Sequence, residues 1–132
     1  INLHSKKGNP GLYAYAEQSS GNEYDVEVHA HASSGSLHGM TTVEAIDALL
    51  YELSPKWRNM VDNGTKITVK LFACSSANGE NSIAQKLSNF RPNAQITAPT
   101  SFHTVEYISL PFYGVKILDQ YLDNNGTWKT FN

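Results

Sequence analysis

Two stretches of the chain place apolar residues at alternate positions, and two others place them at every third or fourth. "YDVEVHAHAS" (Tyr24–Ser33) sets Val26, Val28 and Ala30 on one face of a strand. Glu27, His29 and His31 then share the other face, because side chains alternate along a strand. "KITVKLFACSS" (Lys66–Ser76) puts Ile67, Val69 and Leu71 on one face. Phe72 and Ala73 are apolar on both sides, so this strand should end in a buried, central position. From Thr41 the period lengthens. Thr41 and Glu44 have the spacing of a capping box, and Val43, Ile46, Leu49, Leu50 and Leu53 follow helical spacing. Pro55 should end that helix, and Trp57, Met60 and Val61 predict a short second one stopped by Asn63-Gly64. Ile83, Ala84, Leu87 and Phe90 predict a helix over 80–90, closed by Pro92.

The remaining stretches are weaker. "GLYAYAEQ" (Gly11–Gln18) alternates apolar and small residues and predicts a strand, followed by a turn at "SSGNE". "SGSLHGM" predicts a loop and "AQITAPT" a strand. The aromatic, β-branched tail from His103 predicts short strands with turns at Pro111, Gly114 and Asn124-Asn125-Gly126. Asn63-Gly64-Thr65 and Asn125-Gly126-Thr127 match a glycosylation sequon, but Asn-Gly is first a turn signal. The order strand, strand, helix, strand, helix, strand argues an α/β domain around a mostly parallel sheet. Reactive groups in such sheets collect beyond the carboxyl ends of the strands, where His31 and Cys74 fall.

Composition narrows the classes. The 132 residues suit one domain, and 40% hydrophobic with 17% charged residues is ordinary for a globular chain. A net charge of −2 without a basic run argues against nucleic acid and anionic membranes as partners. No apolar run reaches the roughly 18 residues of a membrane span, which predicts a soluble domain. The lack of a signal peptide and of a starting Met predicts a mature or excised piece of a larger protein. A single cysteine, Cys74, excludes an internal disulfide and a Cys-rich zinc site.

A thiol attacks as the thiolate and needs a base or cation nearby, most often an imidazole. If the two strands are neighbours, the strand spacing of about 4.8 Å brings His31 and Cys74 within reach of each other. The small polar loop after Cys74 could offer backbone N–H groups to a developing oxyanion. "VHAHASSG" (Val28–Gly35) and "VKLFACSS" (Val69–Ser76), with "NGENSIAQKLSNFRPNAQITAPT" after them, resemble the clan CD cysteine peptidases. These include caspases, gingipains, clostripain and the cysteine-protease domains of bacterial toxins. With the terminal "NNGTWKTF", the chain from about Tyr24 onward is similar to caspase-like domains at the carboxyl ends of Rhs-type and other secreted bacterial proteins.

The resemblance implies a single three-layer caspase-like sandwich over 1–132: a mostly parallel sheet flanked by helices, with a β-rich carboxyl-terminal tail. It implies a cysteine endopeptidase in which Cys74 is the nucleophile and His31 the general acid/base, with His29 and His38 as alternative histidines. The oxyanion would be held by the backbone N–H groups of Cys74 and Ala32. The family usually has Gly at the position of Ala32, and an alanine serves only if the backbone there avoids positive φ. No cofactor or metal is implied. The partners implied are a protein or peptide substrate and an immunity or inhibitor protein, in the setting of a secreted or delivered effector or a self-processing domain.

Other readings compete. A single Cys is commonly inert packing. His29 and His31 on one strand face, completed by His38, His103 or Cys74, could instead make a metal-binding hydrolase. A caspase-like shell could also serve as a non-catalytic binding or toxin module, which would tolerate Ala32 more easily than an enzyme.

Overall fold

A computed structural model of the protein describes residues 1–19 and 23–132. The turn expected at Ser19–Glu23 lies largely outside the described residues. The first element is a helix, α1 (Pro10–Gln18), where alternation predicted a strand. Its Leu, Ala, Glu and Gln residues are good helix formers, and Pro10 opens the first turn, where its missing N–H costs nothing. The alternation of Tyr13 and Tyr15 with alanines misled because alanine fits either period.

Strands β1 (Val26–His29), β4 (Ile67–Phe72) and β5 (Ala94–Pro99) are parallel, and β8 (Trp128–Phe131) pairs antiparallel with β5. The sheet order is β1-β4-β5-β8, so β4 is central, as its two-sided apolar end predicts. The fold is α/β with a mostly parallel sheet. β1 is shorter than its sequence pattern. Beyond His29 the chain turns into a small hairpin of β2 (Ala32–Ser33) and β3 (Ser36–Leu37).

Helices α2 (Val43–Leu53), α3 (Pro55–Asn63) and α4 (Ile83–Phe90) supply Ile46, Leu50, Trp57, Met60, Ile83 and Leu87 to one core with Val28, Val69, Leu71 and Ile96. Each begins on a side-chain cap: Thr42 accepts from the Ala45 N–H, Ser54 from Trp57 and Ser82 from Gln85. The first cap is Thr42, one residue after the expected Thr41. Gly64 closes α3 at φ 72°, a conformation that favours glycine. Asp47 of α2 ties the three helices together. It accepts from buried Trp57 Nε1 at 3.0 Å and from Arg91 Nε and Nη2 at 2.8 Å each.

The opposite sheet face carries Glu27, His29, Lys70 and Phe72. Tyr15 of α1 packs its ring against His29 and Phe72 there. The tail forms one long hairpin, β6 (His103–Leu110) and β7 (Gly114–Leu122), rather than several short strands. Its register slips between Glu106 and Tyr107, which leaves Leu118 as the extra residue of a bulge. The hairpin seats on α1 where Gly11 meets Tyr107. A β-carbon at Gly11 would stand 2.2 Å from that ring, so only glycine permits the approach. No helix among the described residues is long and apolar enough to cross a membrane.

Candidate functional site

The carboxyl ends of β1 and β4 lie side by side. His29 pairs with Phe72, and the Ala30 amide still donates to the Phe72 carbonyl at 3.3 Å. His31 and Cys74 each follow two residues later, beyond this last pair, whose rings stack at 4.4 Å with planes 2° apart. A third segment joins on the outer side. Asn2 bridges His29 in parallel, and His4 again follows two residues on. His4, His31 and Cys74 thus each lie two residues past the last paired position of three adjacent backbones. The His4 and His31 rings meet edge-on at 4.8 Å.

On its other side Cys74 touches the start of β6. Its Sγ accepts from the His103 amide at 3.4 Å and faces the His103 carbonyl at 3.7 Å. The thiol is half-buried. Ser75, directly after it, holds φ 54°, an unusual conformation for a residue other than glycine. Its amide donates to the Ser101 carbonyl at 2.9 Å, and the Ala77 amide donates to Pro99 at the same distance. These bonds pin the cysteine loop to the end of β5. The His31 hairpin is fastened to the same region, because the Ile83 amide at the start of α4 donates to the Ser34 carbonyl at 2.7 Å.

The five histidines of the chain, His4, His29, His31, His38 and His103, all gather at this end of the sheet. They differ in environment. His31 is exposed. His38 is also exposed, sits at φ 52°, and its amide donates to the His31 carbonyl at 2.7 Å. His29 is buried, with its Nε2 3.7 Å from Glu27, and burial pushes its pKa down to about 3. Near neutral pH its ring is uncharged and sealed under Tyr15. The ring of His103 is committed elsewhere: Nε2 lies 3.0 Å from Gln120 Oε1, and burial lowers its pKa.

His4 carried no signal in the sequence, because nothing periodic surrounds it and only the tertiary bridge to His29 positions it. Burial, and then the charges His31, His103 and His38 can carry, lower its pKa to about 4. Its Nδ1 is buried without a partner.

Ala32 meets the requirement set by its missing glycine. It lies in β2 and is not among the positive-φ residues. The His38-to-His31 bond makes those two the hydrogen-bonded pair of the hairpin. Ala32, opposite Leu37, therefore occupies the alternate position, with its N–H turned away from its partner.

Two cavities open on this face. One of about 420 Å³ has Cys74 in its wall, with Leu12 of α1 and His103, Val105 and Tyr107 of β6. Another of about 440 Å³ lies over Lys70, Phe72 and Trp128 and does not include Cys74. There the Lys70 ammonium stands 4.2 Å from the Trp128 ring centre. Among the described residues, no three His, Cys, Asp or Glu side chains are grouped to hold a metal ion. The pair His29 and His31 is divided, one ring stacked on Phe72 and the other set against His4.

A family model described as a domain of unknown function (DUF8616) matches residues 1–128. No curated protein and no solved structure matches the chain significantly.

Proposed function

The chain belongs to the DUF8616 family, and we propose that it is a cysteine endopeptidase built on a caspase-like three-layer plan, with Cys74 as nucleophile and His31 as general acid/base. The observation that carries this reading is the parallel register. His29 against Phe72 leaves His31 and Cys74 each two residues beyond the paired ends of neighbouring strands. Exposure favours His31 over His29, since His31 is open to solvent and His29 is sealed.

In this mechanism His31 takes the thiol proton, and Cys74 Sγ attacks the carbonyl carbon of the scissile peptide. The carbonyl electron pair moves onto oxygen, which the N–H groups of Ala32 and Cys74 receive. The tetrahedral adduct collapses, the C–N bond breaks, and the leaving amine takes its proton from the His31 imidazolium. A thioester remains on Cys74. Water, deprotonated by His31, adds to that thioester, and the thiolate leaves and recovers the proton. The carboxylic acid product is released.

Delivery as a secreted effector, and control by an immunity or inhibitor protein, belong to the same proposal through the resemblance. A non-catalytic binding module is the second reading. The hairpin tip favours it, because Phe112 and Tyr113 stand 104% and 87% exposed. Incubation with an unbiased peptide library separates the two. Wild-type protein should cleave, and folded Cys74→Ala protein should not. Cleavage by that variant at the wild-type rate rules out cysteine catalysis.

A further inference from the structure

We infer that the cavity beside Cys74 receives the side chain of a lysine or arginine directly preceding the scissile bond, with the Asp123 carboxylate as its counter-ion. The inference rests on the endopeptidase reading and names the substrate class of that site.

The attacked carbonyl carbon is bonded to the Cα of the residue on its amino side. That residue's side chain is therefore the one carried closest to the sulfur, and a cavity with the sulfur in its wall is the space it enters. The volume of about 420 Å³ accommodates a long side chain. Leu12, Val105 and Tyr107 offer apolar wall to an aliphatic stem. Among the described residues, Asp123 is the one carboxylate of the lining, and no lysine or arginine lines it. His103, the imidazole of the lining, is shifted toward its neutral form by burial, which lessens any offset of that negative charge.

The carboxylate is also fixed in place. Asp123 Oδ2 accepts from Thr104 Oγ1 at 2.8 Å. Its amide donates to the Phe102 carbonyl at 3.0 Å, and its carbonyl accepts from the Gly126 amide at 3.0 Å. Gly126 cannot be replaced without moving this turn, since a β-carbon there would stand 1.8 Å from Ser101 Oγ. Oδ2 is thus engaged by a neutral hydroxyl, which leaves the charge of the carboxylate to be met by a cation. An acidic substrate residue would place two carboxylates in one cavity, at a Coulomb cost. A preformed, anchored anion beside an apolar wall is suited to a cation on a long stem.

The test compares peptidyl chloromethyl ketones that end in Lys, Leu or Asp, measured as rates of covalent labelling at Cys74 by intact-mass spectrometry. The same residues are compared in a cleavable peptide set. The Lys reagent should label wild-type protein fastest. Asp123→Asn, which keeps an oxygen for Thr104, should slow it by about 10- to 150-fold, the range for one lost hydrogen bond to a charged group. The Leu reagent should change little, which also shows that the variant is folded. Labelling or cleavage that depends on Cys74 but is fastest with Leu or Asp, or is indifferent to Asp123→Asn, overturns this inference and leaves the endopeptidase intact. Folded wild-type protein that takes up no reagent and cleaves no peptide overturns the endopeptidase and this inference with it.

Discussion

Replacing Asp47 by alanine should destabilise the domain without touching the cysteine site. The carboxylate makes three hydrogen bonds, to Trp57 Nε1 and to two nitrogens of Arg91. The Trp57 side is the expensive one. Trp57 is 0% exposed, so its indole N–H keeps no route to water once Asp47 is shortened. A buried donor left alone costs about 1–3 kcal/mol. The Arg91 side is cheaper, because its side chain is 30% exposed and water can replace the carboxylate, at about 0.5–1 kcal/mol. Together these give a loss of roughly 1.5–4 kcal/mol, readable as a shift of the urea midpoint at unchanged slope. The bidentate Arg91 contact holds the Asp47 carboxyl below the usual carboxylate range, and the Trp57 bond adds to it. A depressed folded pKa stabilises above the unfolded value, near 3.8, and the gain is lost as pH falls through the folded value. The gap between wild type and Asp47→Ala should thus be widest near neutral pH and narrow in acid. Other titrating groups are common to both proteins and cancel. A loss below about 0.5 kcal/mol, or a gap that widens on acidification, would refute this account of how α2, α3 and α4 are joined.

Further outcomes follow from other sites. Stability of the wild type should fall as pH drops below about 6.5, because the unfolded chain then binds protons that buried His29 and His4, at about 3 and about 4, do not. The slope for His29 alone reaches at most about 1.4 kcal/mol per pH unit, and His29→Phe, which keeps the stack on Phe72, should flatten the urea-midpoint profile between pH 7 and 5. Gly11→Ala should push Tyr107 off α1, and hydrogen exchange should quicken across β6 and β7 while β1, β4 and β5 stay protected. Unchanged exchange in the hairpin would mean that Tyr107 is not its anchor.

The parts of the fold that the sequence made legible are those where burial is one-sided and sustained. Val43 to Leu53 and Ile67 to Phe72 each face one core, so their periods survive folding. Pro10–Gln18 shows no helical period in sequence because its apolar face is narrow: only Gly11 and Ala14 are buried. The β1 pattern runs on to Ser33, yet pairing with β4 ends near Ala30, where the His31 hairpin departs. Periodicity reports alternation and not which strand lies alongside. At the site, periodicity carries the two strands on to His31 and Cys74, whereas they stop at His29 and Phe72, two residues short. His4 was not visible in the sequence, since its position depends on a bridge to His29 between distant segments. Asp123 was equally hidden. In sequence it is one acidic residue before an Asn-Asn-Gly turn, and it reaches the cavity only because the hairpin folds back beside Cys74.

The central claim is that Cys74 and His31 act as one unit, and a double-mutant cycle on kcat/KM tests it most directly. The four proteins are wild type, Cys74→Ala, His31→Ala and the double variant, assayed on the best-cleaved library peptide. All four should fold alike, because Cys74 is half-buried and His31 exposed. Two members of one catalytic unit do not give additive losses. The account predicts that the double variant is no less active than Cys74→Ala alone. A double variant whose loss equals the product of the two single losses would contradict it.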